Sequence, residues 1–327
     1  MKNRHLGKNG FEVSEVGLGC WQLGSDWGSE ISKKKAFEIL NKAVDCGITF
    51  FDTADVYGGG RSEELIGEFL QTSNSEVKVA TKFGRKSDLF PDNYSEQALR
   101  ECVDDSRRRL QVDCIDLLQL HCLPTAVLKS SRIFDWLRNL KAEGKIAHFG
   151  ASVESVEQGL ICLGQEGLQS LQVIYNIFRQ KLNEELLPLA LKKGVGIIVR
   201  LPLASGLLTG KFTQQSKFSA TDHRHYNRDG AVFNVGETFA GLPFDIGVQL
   251  SEELKTLFPQ DSSVSKVALR WLLDHEAVST VIPGASSPAQ VYENASASDL
   301  PSLDEKLRND LKDFYKKHVA DHIRGVY

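Results

Sequence analysis

No apolar run in this chain approaches the ~18 residues that a membrane-spanning helix needs. The opening MKNRHLGKNG has no signal-peptide core either. Both absences lead us to expect a cytoplasmic protein without a membrane partner. Net positive charge is also lacking: a formal net charge of −4 gives no electrostatic case for nucleic acid. The six cysteines, at 20, 46, 102, 114, 122 and 162, contain no CxxC pair, so reduced core thiols are expected and no metal site is. Gly17, Gly19 and Gly24 miss the GxGxxG spacing, which excludes a Rossmann fingerprint. Gly206, Gly210 and Lys211 fall one residue short of a P-loop and run on into Phe212. No serine or cysteine triad is legible. No stretch rich in Pro, Gly or Ser splits the chain, so one domain over 1–327 is expected.

What is present is an alternation. An Asn9-Gly10 pair between short alternating segments predicts an N-terminal hairpin with a two-residue turn. Strand patterns then recur at 16–22, from 48, and at 77–83, 114–121, 146–152, 171–176, 195–201 and 279–283. Helical spacings are interleaved at 33–46, 61–70, 95–110, 131–142, 156–163, 184–193, 288–297 and 303–318. Strands alternating with helices over short connections predict parallel β-structure. Eight such repeats predict an α/β fold of the closed (β/α)8 TIM-barrel type. The irregular segment is 205–245, after the seventh strand. It is long, polar and aromatic, and a lid over the mouth is expected there.

The chemistry of a barrel sits at the C-terminal ends of its strands. Here the second strand ends in Asp52, the third in Lys82 and the fourth in His121. Period-two alternation puts Asp52 on the face of Phe50, Lys82 on that of Ala80, and His121 on that of Gln119, Leu117 and Ile115. Tyr57 follows on the loop that leaves the second strand. One polar strand end proves little; three neighbours plus a tyrosine are hard to explain by packing. A free phenol titrates near ~10. A lysine cation within ~4–6 Å favours the phenolate and should lower that value. Asp52 would hold Lys82 charged, and His121 would hydrogen-bond the tyrosine or a bound carbonyl oxygen. The set makes a general acid facing a polarised C=O, and such an acid needs a hydride donor opposite. A Schiff-base lysine of a barrel aldolase is a competing use for Lys82, but it leaves Asp52 and Tyr57 without a role.

These segments resemble the aldo-keto reductases: GITFFDTADVYG (47–58), VATKFG (79–84), DLLQLH (116–121), GAS (150–152), QVIYN (172–176), PLASGLLTGKF (202–212) and VIPGA (281–285) leading to Asn294. The resemblance implies a catalytic tetrad of Asp52, Tyr57, Lys82 and His121, with Tyr57 as general acid. It implies reduction of aldehydes or ketones, as small-molecule substrates, by NADP(H), with NAD(H) as the second choice. Ser152 and Gln172 would hold the nicotinamide carboxamide. Leu203, Ser205, Gly206, Leu208 and Lys211 would cover the pyrophosphate. Gly284, Ser286, Gln290 and Asn294 would hold the adenosine end. Three features depart from the common pattern. Arg200 replaces an aromatic that stacks on the ring, Val153 replaces an asparagine, and Ser286 and Gln290 stand where a basic residue often grips the 2′-phosphate. The branch with VRxPLASGLLTGK has the same arginine, and its guanidinium is expected to stack. Some relatives act instead as nicotinamide-sensing subunits of larger complexes with slow turnover, which is the alternative reading.

Overall fold

The computed structural model describes residues 1–25, 31–73, 75–260 and 262–327. The sequence puts Trp27 shortly after the first barrel strand, where it is expected to help shape a substrate pocket; it lies outside the described residues. A two-stranded antiparallel sheet, β1 (Asn3–His5) with β2 (Glu12–Ser14), opens the chain. Eight parallel strands follow: β3 (Leu18–Gly19), β4 (Phe50–Asp52), β5 (Lys78–Phe83), β6 (Ile115–His121), β7 (Ile146–Ser152), β8 (Leu168–Ile174), β9 (Gly196–Arg200) and β10 (Val278–Val281). Each pairs with the next in chain order. The first and last are joined by bridges at Val16–Val281 and Gly19–Gly284, so the sheet curls into the expected barrel.

Helices separate the strands and cover the outside. They are α1 (Lys33–Asp45), α2 (Arg61–Thr72), α3 (Glu96–Leu110), α4 (Thr125–Lys129), α5 (Arg132–Ala142), α6 (Val156–Leu163) and α7 (Leu186–Lys193). After β9 come α8 (His223–Tyr226), α9 (Phe244–Lys255) and α10 (Val264–Leu273), and after β10 come α11 (Pro288–Ala295) and α12 (Glu305–Phe314). Serines 32, 95, 155 and 287 and Asp304 cap their helices by accepting a backbone N–H with the side chain.

Alternation along β4 sorts three successive residues. Phe51 packs outward with residues of α1 and α2, including Ala36, Ile39, Leu65, Ile66 and Phe69. Phe50 points into the barrel with Ala80, Leu117, Ile198 and Ile282, and the hairpin residues Leu6 and Val13 plug that layer from below. The next inward layer, toward the strand ends, is polar: Asp52, Lys82, Gln119, Ser152 and Gln172 are all buried. An apolar floor under a polar ceiling therefore fixes where the site lies.

Three expectations are corrected. The hairpin has no two-residue turn at Asn9-Gly10. Its strands end at His5 and Glu12, and the loop between them docks on the barrel. Gly7 takes φ +70°, Lys8 N–H donates to Gly194 O at 2.7 Å, and Gln169 Nε2 donates to Leu6 O at 2.6 Å. Tertiary docking has overridden the local turn preference. The first barrel strand is shorter than 16–22, because Trp21–Gly24 coils into a 3-10 turn. The sixth strand runs Leu168–Ile174 rather than 171–176, and Asn176 is in the turn that follows.

Gly67 in α2 lies against the backbone of α3: a Cβ there would run into Arg109 O and come within 2.8 Å of the Leu110 carbonyl carbon. Gly67→Ala should gain up to ~1 kcal/mol of helix propensity yet lose about 1–3 kcal/mol net by forcing the helices apart. Urea unfolding checks the sign; a stabilised variant would mean the helices part freely.

Candidate active site

The strand ends gather the sequence-predicted residues around one carboxylate. Asp52 Oδ1 accepts from Lys82 Nζ at 2.6 Å, and its Oδ2 accepts from Gln119 Nε2 at 2.9 Å and Gln172 Nε2 at 2.7 Å. Lys82 Nζ also donates to Thr53 O at 2.7 Å and lies 3.4 Å from Tyr57 OH. Its ammonium is 5.0 Å from the centre of the Tyr57 ring. The His121 ring meets Tyr57 edge-on, centroids 6.0 Å apart, and Trp21 stacks on Tyr57 at 5.9 Å. Lys82 is 1 % exposed, whereas Tyr57 and His121 keep some exposure at the mouth. A phenol and an imidazole at the opening therefore rest on a sealed ion pair.

The backbone that delivers Tyr57 is a glycine turn. Gly58, Gly59 and Gly60 have φ of +59°, +64° and +102°, a run that side chains would strain. Tyr57 N–H donates back to Ala54 O at 3.1 Å, which holds the ring close to β4. Thr53 Oγ1 and Ser62 Oγ bond at 2.8 Å and tie that strand end to α2.

Burial sets the protonation states. It works against the Lys82 charge, but Asp52 and Tyr57 outweigh it, so Lys82 titrates above its ordinary value and stays charged. Burial pushes the Tyr57 phenol up to about 12; Lys82 pulls the other way, and Asp52 adds to the rise. The lysine acts in the expected direction, but the net shift is opposite to the sequence-based one. Burial, then the cations of Lys82, Arg85 and Arg200, hold His121 well below its usual value and so neutral. Its Nδ1 is buried without a protein partner among the described residues.

The other predicted residues take these places. Ser152 Oγ donates to Gln172 Oε1 at 3.4 Å, beside the tetrad. Arg200, 9 % exposed, pairs with Glu237 from the long loop, and its Nη2 donates to Val153 O at 3.3 Å and to Cys122 Sγ at 3.5 Å. Leu203 opens the turn Ala204–Thr209, in which Ser205 (φ +54°) and Leu208 are buried and Gly206 has φ +104°. A Cβ on Gly206 would come within 2.8 Å of the Phe212 ring. Lys211 is exposed. Gly284 is packed against the end of the Gln22 side chain, which a Cβ there would push aside. Gln290 Oε1 accepts from Ser286 N at 2.7 Å and Ser286 Oγ at 3.0 Å, and Asn294 Nδ2 donates to Gly284 O at 3.3 Å. The two groups follow neighbouring strands, 203–211 after β9 and 284–294 after β10.

Several residues at the site escaped the sequence reading. Gln119 shares the inward face of His121, and a buried glutamine there was the available signal. Arg85 Nη2 bonds Glu154 Oε1 at 2.7 Å while its Nε donates to His121 O at 3.2 Å. These charges, and Glu237, belong to loops with no periodicity to read. Cys122, Glu154 and Glu237 have atoms within 4.8 Å of one another, but both carboxylates already pair with arginines. The 205–245 segment packs on the mouth through His223 and Phe233, whose rings lie 5.1 and 6.2 Å from Trp21.

With this geometry in hand, the sequence matches the family described as the aldo/keto reductase family over residues 15–316. The chain belongs to that family. It is thus an oxidoreductase on a (β/α)8 barrel. It is 31 % identical to an uncharacterised oxidoreductase of Bacillus subtilis, over 97 % of this chain and 99 % of that one. It is 29 % identical to a probable voltage-gated potassium channel subunit beta of Arabidopsis thaliana, over 93 % of each. The solved structure of a glycerol dehydrogenase from Gluconobacter oxydans superposes with a TM-score of 0.79 at 29 % identity, covering 99 % of this chain and 98 % of that chain. No helix among the described residues of this family member is long and apolar enough to cross a membrane.

The Asp52–Lys82 pair yields a direct test. Lys82→Met leaves a buried carboxylate with only two amide donors and should destabilise the fold by about 3–5 kcal/mol. Adding Asp52→Asn should return part of that, so denaturant unfolding of the two single variants and the double should show coupling of about 1 kcal/mol or more. Strict additivity would mean that the pair does not act as a unit.

Proposed function

We propose that this family member reduces aldehydes or ketones to alcohols with NAD(P)H, and that Tyr57 is the general acid. The observation that carries the reading is the Tyr57 hydroxyl 3.4 Å from a lysine amine that is itself locked on Asp52. The residues present fit a nicotinamide cofactor. Ser152 Oγ and Gln172 Oε1 offer a donor and an acceptor for a carboxamide beside the tetrad, and Arg200 presents a planar cation at the end of β9. The bound nicotinamide supplies a hydride to the carbonyl carbon. Ser205, Gly206 and Lys211, with Leu203 and Leu208, would lie over its pyrophosphate, and Gly284, Ser286, Gln290 and Asn294 would take the adenosine end.

The protein's own part is proton delivery and charge placement. Neutral His121 and the Tyr57 hydroxyl fix the carbonyl oxygen. As negative charge develops on that oxygen, the phenol transfers its proton, since an alkoxide is far more basic than a phenolate. Lys82 stabilises the phenolate left behind, and Asp52 keeps Lys82 charged and aimed. A phenol raised to about 12 is the correct form for reduction at neutral pH. The reverse oxidation needs the phenolate, so its rate should climb as pH rises from 7 to 10 while reduction does not. A pH-rate profile in both directions checks this.

NADPH is the preferred cofactor and NADH the second. The start of α11 presents the Ser286 N–H and hydroxyl, donors suited to a 2′-phosphate, although Gln290 Oε1 holds both and would have to swing aside. Titration of cofactor fluorescence should give tighter binding for NADPH; equal affinities would mean that Gln290 stays in place.

The similarity to a channel subunit keeps a second reading, a nicotinamide sensor with slow turnover. Stopped-flow mixing of the NADPH complex with 4-nitrobenzaldehyde separates the two. Sustained turnover supports the reductase; one hydride transfer followed by arrest supports the sensor. In Tyr57→Phe, cofactor affinity should be retained while turnover falls about 10²–10⁴-fold. Undiminished turnover would remove Tyr57 from the chemistry.

A further inference from the structure

Nine described non-glycine residues have positive φ, and five of them sit in two short pieces of chain that touch each other: Leu201 (+51°), Ala204 (+48°) and Ser205 (+54°), then Phe239 (+54°) and Ala240 (+58°). Such backbone persists only where the surroundings over-determine it. Ser205 Oγ stitches the two pieces together, accepting from Phe239 N at 3.1 Å and donating to Glu237 O at 3.2 Å, while Glu237 pairs with Arg200.

The second piece is held from behind by two arginines. Arg179, which follows β8, donates through Nη1 to Ala240 O at 3.1 Å and through Nη2 to Val326 O at 2.6 Å. Arg324 donates through Nε to Gly241 O at 3.0 Å and through Nη2 to Arg228 O at 3.0 Å and Leu242 O at 3.3 Å, and its Nη1 bonds Asp229 at 2.7 Å. Three consecutive carbonyls, of Ala240, Gly241 and Leu242, are thus gripped by guanidinium groups. Arg179 is 1 % exposed and has no carboxylate partner among the described residues. Tyr327 covers it, with the ring centre 4.2 Å from the guanidinium carbon, and Tyr327 OH accepts from Lys181 N at 3.1 Å and bonds Tyr315 OH. A buried cation without a counter-ion is unfavourable by itself. Here its two donors bridge the strained turn to the 323–327 segment.

We propose that the 323–327 segment and Arg179 form a clasp that holds the strained turn 239–241 and, through Ser205 and Glu237, sets how long the cofactor stays bound. Lifting Tyr327 off Arg179 exposes the buried cation and frees Ala240 O. Phe239 and Ala240 then relax, and the 201–205 and 237–240 pieces part. Arg179 and Arg324 are positioning residues in this device; neither needs to touch the cofactor. The inference rests on the reading of 203–211 as the cover of the pyrophosphate.

The test measures NADPH dissociation by stopped-flow displacement for the parent chain, Tyr327→Ala, Arg324→Ala, Arg179→Met, Arg179→Lys and Arg108→Ala, an exposed arginine on α3 as control. Dissociation should be at least tenfold faster in the first three variants and unchanged in Arg108→Ala. Arg179→Lys should fall between, because one ammonium cannot span both carbonyls as a fork does. The rate of hydride transfer in a single turnover should move less than twofold. Amide hydrogen exchange without cofactor should quicken in 201–206 and 235–242 for Tyr327→Ala. If Arg179→Met does not fold, Tyr327→Ala and Arg324→Ala decide. Parent-like dissociation in variants that fold overturns the clasp alone, as does faster exchange without faster release. A parent chain that binds neither NADPH nor NADH overturns the clasp together with the cofactor reading.

Discussion

A lysine ammonium and an aspartate carboxylate that meet inside the barrel, out of reach of water, dictate what their neighbours do. A pair of this kind is tolerated only where the remaining lone pairs and protons are also satisfied. Asp52 meets the condition by taking two glutamine amides in addition to Lys82. Lys82 meets it by adding the Thr53 carbonyl and the Tyr57 hydroxyl. Gln119, Gln172 and Thr53 are thereby committed, and Ser152 is fixed through Gln172. The polar ceiling of the barrel is one connected network, so the position of Tyr57 depends on five strands, β4 to β8, as well as on its own loop.

The same sealing explains why phenol acidity runs against first expectation. Proximity of a cation favours phenolate, and Lys82 does so here. The surroundings that make the Lys82 field strong also strip water from the phenol, and burial wins. The tyrosine is therefore a reluctant acid that gives up its proton only to a base as strong as a nascent alkoxide.

What was legible in the sequence followed periodicity. The strand ends at Asp52, Lys82 and His121 could be read because alternation in a buried strand leaves each side chain one of two directions, and the barrel followed from eight repeats. The eight strands and most helices stand where the pattern put them. The hairpin turn misled because Asn9-Gly10 is a strong local signal that a docking contact at Gly7 and Lys8 overrules. The strand at 16–22 was overextended because Trp21 and Gln22 look like strand residues until the chain coils at the mouth. The charges contributed by Glu154 and Glu237 had no signal, since loop residues are placed by tertiary contacts alone. Arg200 was located but not its partner, and α4, α8, α9 and α10 were not resolved individually. Asn227 shows why: its side chain takes the N–H groups of Val232 and Phe233 and bonds Thr238, organising by hydrogen bonds a loop that has no hydrophobic rhythm.

Consider finally the three residues Phe50, Phe51 and Asp52. One fills the floor of the barrel, the next greases the shell of helices, and the third anchors the network above. Lengthening or shortening this strand by a single residue would turn the carboxylate toward the greasy shell and a phenyl ring toward the ammonium. Over evolutionary time, this segment can therefore drift in side-chain identity far more readily than in length, and gaps among divergent descendants should gather in the connections beyond the strand ends.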